Sequence, residues 1–246
     1  MPSIDLNVDL GEGGAEDAAL IGLASSANIA CGGHAGDDTT MRKAIRAARD
    51  AGVAVGAHPG YEDREHFGRR ALDVPPGVVR EMVSRQLGRM REIAAELGAE
   101  IRHVKPHGAL YLQAHRDAAL AAAVVDGVKE GLPGCAFYVP PGGELAGAGE
   151  RGGLRVIAEG FVDRRYGASG DLLPRGAPGA IIEDLEAAIA QARNIALHGR
   201  VTADSGESMP LSVATLCVHG DGRHAAATLR AVRAALEAAG IAILSP

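Results

Sequence analysis

In the first strand-like segment, SIDLNVDL, apolar Ile4, Leu6, Val8 and Leu10 alternate with polar Asp5, Asn7 and Asp9. Strand side chains alternate between faces with period 2, so the apolar set predicts a face covered by helices and the polar set a face turned elsewhere. Strand-like runs then recur along the chain: ANIAC, VAVGAH, IRHVK, AFYVP, RVIAEGF, ATLCVHG and IAIL. Between them lie helical spacings. The clearest runs from Pro76 to Leu97, with Val79, Met82, Val83, Leu87, Met90, Ile93 and Leu97 three or four apart and Gly98 closing it; the last carries Leu229, Val232 and Leu236 and stops at Gly240. About seven strand–helix units over this length predict an α/β fold, a single distorted TIM-like (β/α) barrel spanning residues 1–246, in preference to a doubly wound open sheet. The polar strand faces then look into the barrel or its mouth. The same parity places Asn28 with His34 if extended geometry persists, His103 with Lys105, and Cys217 with His219, and it adds His58. One polar cluster is implied.

Composition narrows the core and the partners. Aromatics are only 3% of residues, so the interior is expected to be Ala, Val, Leu and Ile packed between helices and parallel strands. No linker-like stretch divides the chain. A formal net charge of −6, with no Lys or Arg before Arg42, argues against a nucleic-acid surface. Neither a signal-peptide pattern nor a membrane-length apolar run is present. Cys31, Cys135 and Cys217 have no metal spacing and leave one thiol over in any disulfide scheme. These features lead to the expectation of a soluble, reduced, cytoplasmic protein.

The chemistry gathers at the strand ends, where barrel enzymes keep their catalytic groups. The endings read NVDLGE (Asn7, Asp9, Glu12), with Asn28 in the next strand, GGHAGD (His34, Asp37), AHPGYED (His58, Asp63), KPHG (Lys105, His107), FVDRRY (Asp163, Arg164) and VHGDG (His219, Asp221). A lone strand-end histidine is more often a hydrogen-bonded structural residue than a catalyst. Six ionisable endings in register are another matter, because burying them costs several kcal/mol each unless they are paired or used. Lys105, one of three lysines in the chain, could hold an anion or stabilise an oxyanion. His34, His58, His107 and His219 are candidate acids and bases, with Asp9 and Asp37 to orient them or act as bases. Asp163 and Arg164 could equally pair with each other. A divalent metal is left open: His34 with Asp37, or Asp9 with His34 and His58, could supply N and O ligands. GAGERG, residues 147–152, has the GxGxxG spacing but is expected to follow irregular chain and to lead into a strand, the wrong context for a dinucleotide loop. No Gly-Lys dipeptide exists for a phosphate loop. Cys31 and Cys217, inside apolar strands, are expected to be inert. The connections 59–76 and 163–179 are long enough to be functional or mobile.

With these residues in view, the chain resembles the LamB/YcsF family, the A subunits of 5-oxoprolinase. The resemblance rests on DLNVDLGE (5–12), SANIACGGHAGD (26–37), GAHPGYED (56–63), VKPHGALY (104–111), FVDRRY (161–166), LLPR (172–175) and CVHGDG (217–222). Val8 departs from a frequent Cys, Gly33 from a frequent Phe and Glu62 from a frequent Pro. The resemblance implies a distorted barrel related to the glycoside hydrolase and carbohydrate deacetylase group. It also implies ATP-dependent opening of the lactam of 5-oxo-L-proline to L-glutamate, with partner subunits B and C supplying most of the nucleotide chemistry. Under that implication Lys105 and His107 stabilise charge, His34 with Asp37 or Asp9 activates water, His219 protonates the departing nitrogen and Arg164 takes the substrate carboxylate. Two other readings stay open: a free-standing metal-dependent deacetylase or amidohydrolase, and a non-catalytic subunit that delivers 5-oxoproline.

Overall fold

In the computed structural model, which describes residues 2–14, 16–222 and 224–246, the chain alternates strands and helices. The strands are β1 (Ser3–Leu10), β2 (Ser26–Ala30), β3 (Ala54–His58), β4 (Ile101–Val104), β5 (Ala136–Val139), β6 (Arg155–Phe161), β7 (Arg200–Thr202), β8 (Ser208–Pro210), β9 (Thr215–Val218) and β10 (Ala242–Ile243). The helices among the described residues are α1 (Asp17–Ile21), α2 (Asp38–Asp50), α3 (Pro76–Glu96), α4 (Gly108–Arg116), α5 (Ala118–Gly131), α6 (Gly143–Arg151), α7 (Leu185–His198) and α8 (Ala225–Ala238).

The first six strands pair in parallel in sequence order, β9 pairs with β6, and β1 closes the ring by pairing with β9. The result is a closed barrel of seven parallel strands, as the alternating pattern predicted. β10 adds to the outer end of β1, and β7 with β8 forms an antiparallel hairpin outside the ring that no sequence pattern announced.

The helices form because their apolar spacings can be buried on the barrel. In α3, Val79, Met82, Val83, Leu87, Met90 and Ile93 make the buried stripe, Pro76 sits in the first turn, and Gly98 takes φ +63 beyond the last turn. Each such fully buried side chain contributes about 1.5–3 kcal/mol, so this outer shell is the main source of stability. Asp117 accepts from the backbone N–H groups of Ala119 and Leu120, which ends α4 and starts α5 at a boundary that periodicity did not mark. The GAGERG segment is the end of α6, helical through Arg151 with Gly152 as its C-cap, and it does not follow an irregular stretch. A side chain on Gly149 would run into Val156 and Phe137, so this glycine serves close packing and not a phosphate.

The polar faces of the strands fill the barrel interior in layers. At the bottom Asp5 accepts from the hydroxyls of Ser25 (2.6 Å), Ser26 (2.8 Å) and Thr215 (2.6 Å). In the middle Asn7 donates to Glu159 (2.9 Å) and Thr215 (2.7 Å), while Asn28 donates to Asn7 (2.7 Å). Asp9 and Lys105 form the top layer. Apart from the half-buried Ser25, each of these residues is buried, and their mutual hydrogen bonds offset the cost of taking them out of water. No helix among the described residues is long and apolar enough to cross a membrane.

Candidate active site

At the top of the barrel the Lys105 ammonium lies 2.9 Å from Asp9 Oδ1, 2.9 Å from Glu159 Oε1 and 3.0 Å from Cys217 Sγ. Burial disfavours its charge, but Asp9 and the other anionic neighbours outweigh burial and hold its pKa well above the usual lysine value. Burial likewise pushes on Asp9, yet Lys105 and then His58 keep that carboxyl well below its ordinary range. Tyr111 donates to the other oxygen of Glu159 at 2.7 Å. The Cys217 thiol is pushed up by burial and by Asp9, which agrees with an inert role.

Beside this ion pair stand three imidazoles and a carboxylate. His58 ends β3, His107 precedes α4, and His34 and Glu12 come from the loops after β2 and β1. His34 Nε2 is 3.0 Å from Glu12 Oε1, His107 Nδ1 is 3.4 Å from that same oxygen and 3.0 Å from His58 Nε2, and the four ligand atoms all lie within 4.8 Å of one another. The rings of His34 and His107 stack with centroids 3.6 Å apart. Burial lowers His34 to about 2 and His107 well below the usual value, with His58 adding to both. Burial, then Asp9 and Asp221, raises the Glu12 carboxyl.

The long connection after β3 supports this group. Phe67 adopts a left-handed backbone, φ +55, which is uncommon for a residue with a side chain, and its carbonyl accepts from His107 Nε2 at 2.9 Å. Its ring packs edge-on against both His34 and His107. Gln86 of α3 clamps the same connection, pairing with the N–H and C=O of Gly60. Its amide fills the space a side chain on Gly33 would enter, a physical counterpart to the departure at that position.

The opposite wall carries an acid–histidine pair and the arginines. Asp163 accepts from His219 Nδ1 at 2.9 Å and from the His219 backbone N–H at 2.9 Å. Burial alone would raise this carboxyl, but His219 and Arg175 bring it below its usual range. Asp163 therefore pairs with His219 and not with its neighbour Arg164. Arg164 is buried, donates from Nη2 to the Leu173 carbonyl at 2.6 Å, and leaves Nε without a partner; among the described residues no carboxylate lies in ion-pair range of it. Asp221 bridges Arg69 and Arg175 at the rim. Between the walls lies a cavity of about 670 Å³, lined among others by Asp9, His58, Lys105, His107, Arg164 and His219.

Most of the strand-end residues expected to act together do converge here. Asp37 does not: it is exposed and caps α2 through a reciprocal bond with Thr40, because a short acid just before a helix satisfies free backbone N–H groups. Asn7 and Asn28 lie a layer below the cavity, holding Asp9, Glu159 and His103 instead of facing a ligand. Asp221 is a rim residue. Of the metal set Asp9, His34 and His58, Asp9 is engaged by Lys105 and Asn28 and sits 3.5 Å from His58 Nε2, while Glu12 and His107 complete the tighter group. Glu159, Tyr111, Arg69 and Arg175 were missed. Strand parity could have found Glu159, which shares a face with Phe161; the arginines sit in long loops that carry no periodic signal.

The profile of the LamB/YcsF family matches residues 4–246 of this chain. A protein named as the A subunit of 5-oxoprolinase, from Symbiobacterium thermophilum, is 48% identical over 249 residues, covering 99% of this chain and 95% of that one. The crystal structure of a lactam utilization protein from Thermus thermophilus superposes with a TM-score of 0.92 at 40% identity, covering 99% of this chain and 100% of that one. A family 4 carbohydrate esterase from Streptomyces lividans, in complex with acetate, shares the fold at 12% identity, with a TM-score of 0.55 and coverage of 98% and 91%.

Proposed function

Since this chain belongs to the LamB/YcsF family, we propose that it is the A subunit of an ATP-dependent 5-oxoprolinase, a cytoplasmic enzyme that opens the lactam of 5-oxo-L-proline to L-glutamate. The observation that carries this reading is the buried, charged Lys105 at the floor of a cavity whose other wall offers Arg164, a cation with no carboxylate of its own among the described residues. A small ring bearing one carboxylate and one carbonyl offers an anion to Arg164 and an oxygen to Lys105, two cations of that cavity's lining.

Amide resonance protects a lactam from water, so its oxygen must be activated first. Partner subunits B and C supply that activation from ATP. In this chain, Arg164 then takes the ring carboxylate and Lys105 faces the carbonyl oxygen, where negative charge grows as water adds to the carbon. His58 and His107 line the side from which the water comes, with Glu12 and His34 packed beside them. His219, held through Nδ1 by Asp163, takes onto Nε2 the proton released as water adds and delivers it to the ring nitrogen as the C–N bond breaks. Asp9 keeps Lys105 charged and placed.

The test is a reconstitution assay with 5-oxoproline and ATP that measures glutamate and phosphate while each of the three chains is omitted in turn. ATP cleavage without ring opening when this chain is absent supports the proposal. Ring opening by this chain alone without ATP would make it a free-standing amidohydrolase instead. Full activity of the complex after His219→Ala would reduce it to a ligand-binding role.

A further inference from the structure

Two backbone carbonyls decide which nitrogens of the paired histidines carry hydrogen. His58 Nδ1 lies 2.7 Å from the carbonyl oxygen of Lys105, and His107 Nε2 lies 2.9 Å from that of Phe67. A carbonyl only accepts, so each of these nitrogens must be the N–H, and the remaining nitrogen of each neutral ring is a lone pair. Those lone pairs, His58 Nε2 and His107 Nδ1, face each other at 3.0 Å. Two acceptors at hydrogen-bond distance in a buried site repel unless a positive species lies between or beside them.

Glu12 Oε1 points at the same place, 3.4 Å from His107 Nδ1 and 3.8 Å from His58 Nε2, and His34 Nε2 reaches it at 3.0 Å. A proton shared by the two histidines would answer one contact. It would not account for a carboxylate and a third imidazole turned to the same point. A tetrahedral ion with bonds of about 2.0–2.1 Å sets its ligand atoms about 3.3 Å apart, within the observed spread. His34 Nδ1 has no partner among the described residues, so nothing locks that ring in a form that would block its Nε2.

We propose that Glu12, His34, His58 and His107 bind a single divalent transition-metal ion. Three imidazoles and one carboxylate suit zinc, cobalt or a similar ion better than calcium or magnesium, which prefer oxygen. The carbonyls of Lys105 and Phe67 are the outer partners that orient the ligands. The left-handed backbone at Phe67 accordingly has a purpose, since it brings that carbonyl to His107. The ion would sit beside the cavity, next to Asp9 and Lys105, and could polarise a bound water or carbonyl there.

The metal is read independently of lactam chemistry, partners and ATP, so it stands or falls apart from the function proposed above. The full chain, stripped with a chelator, is dialysed against zinc chloride or cobalt chloride and assayed for bound metal and thermal midpoint. One equivalent per chain and a raised midpoint are expected. Glu12→Gln, close to isosteric, and His107→Gln should each weaken binding more than about 100-fold, beyond what loss of an outer partner costs. His115→Asn, which lies at a different cavity, should bind as the parent does. Circular dichroism of the metal-free variants checks their folding, and Glu12→Gln decides the matter if His107→Gln does not fold. No retained metal with an unchanged midpoint, or binding that survives Glu12→Gln, would overturn the site and leave a proton-sharing histidine pair.

Discussion

The imidazole of His103 occupies the space in the barrel that a side chain on Gly56 would fill: a Cβ built on Gly56 would clash with Nε2, Cε1 and Cδ2 of that ring. His103 donates from Nε2 to Asn28 Oδ1 at 2.7 Å and stacks on Tyr138, so it has nowhere to retreat. The glycine of VAVGAH is thus a packing requirement set by the neighbouring strand. Gly56→Ala should destabilise the protein by about 3 kcal/mol, the upper end for an overpacked core. Adding His103→Ala to that variant should recover part of the loss, as contacting sites couple. Urea denaturation of the three variants checks this; a Gly56→Ala protein as stable as the parent would refute the clash.

Lys105→Met should cost about 3–5 kcal/mol, because it strands Asp9 and Glu159 as buried charges without a cation. Combining it with Glu159→Gln should restore part of the stability but not ring-opening activity. Thermal melts and the reconstituted assay separate the two effects. Unchanged stability of the single variant would mean that the lysine is not where the fold needs charge.

Acid should destabilise the protein before its carboxylates titrate. Burial, with Lys105 next, lowers His103 from 6.5 to about 3. Above pH 6.5 this ring is neutral in both folded and unfolded chains. As pH falls from 6.5 toward 3 only the unfolded chain gains the proton, so stability is lost across that window at up to about 1.4 kcal/mol per pH unit. His34, lowered to about 2, adds to the same slope. Denaturation midpoints measured between neutral pH and pH 4.5 should therefore fall less steeply for His103→Gln than for the parent; equal slopes would contradict a neutral buried His103.

Asp163→Asn should leave the fold intact and lower ring-opening turnover by about 10²–10⁴, since an amide donor facing His219 Nδ1 would favour the wrong tautomer. The measurement is steady-state kinetics of the assembled complex beside a thermal melt. Retained turnover would remove His219 from proton transfer.

Arg164→Gln should raise KM for 5-oxoproline far more than it lowers kcat, and should not affect binding of 2-pyrrolidinone, the ring without its carboxylate. Equal weakening of both ligands would assign Arg164 to holding the Leu173 turn alone.

Strand chemistry was largely readable in advance because alternation is a local property: Asp5, Asn7 and Asp9 had to share a face opposite Ile4, Leu6 and Val8, and they do. Glu159 lay within reach of the same rule. Loop chemistry was not readable. Asp37 resembled a site residue in sequence, yet a helix start three residues from Thr40 claims it as a cap. Asp163 was as compatible with Arg164 as with His219, and its partner became definite only when β6 and β9 paired and set their ends side by side.

The order of residues sufficed for a barrel of strand–helix units, its polar interior and the family, since periodicity and motif spacing act over a few neighbours. Tertiary closure chose the rest: which nitrogen of His58 and of His107 is left bare, that Glu12 meets them, and that Arg164 stays without a carboxylate. Those outcomes depend on carbonyls and side chains brought together from distant parts of the chain, and no local pattern encodes where they meet.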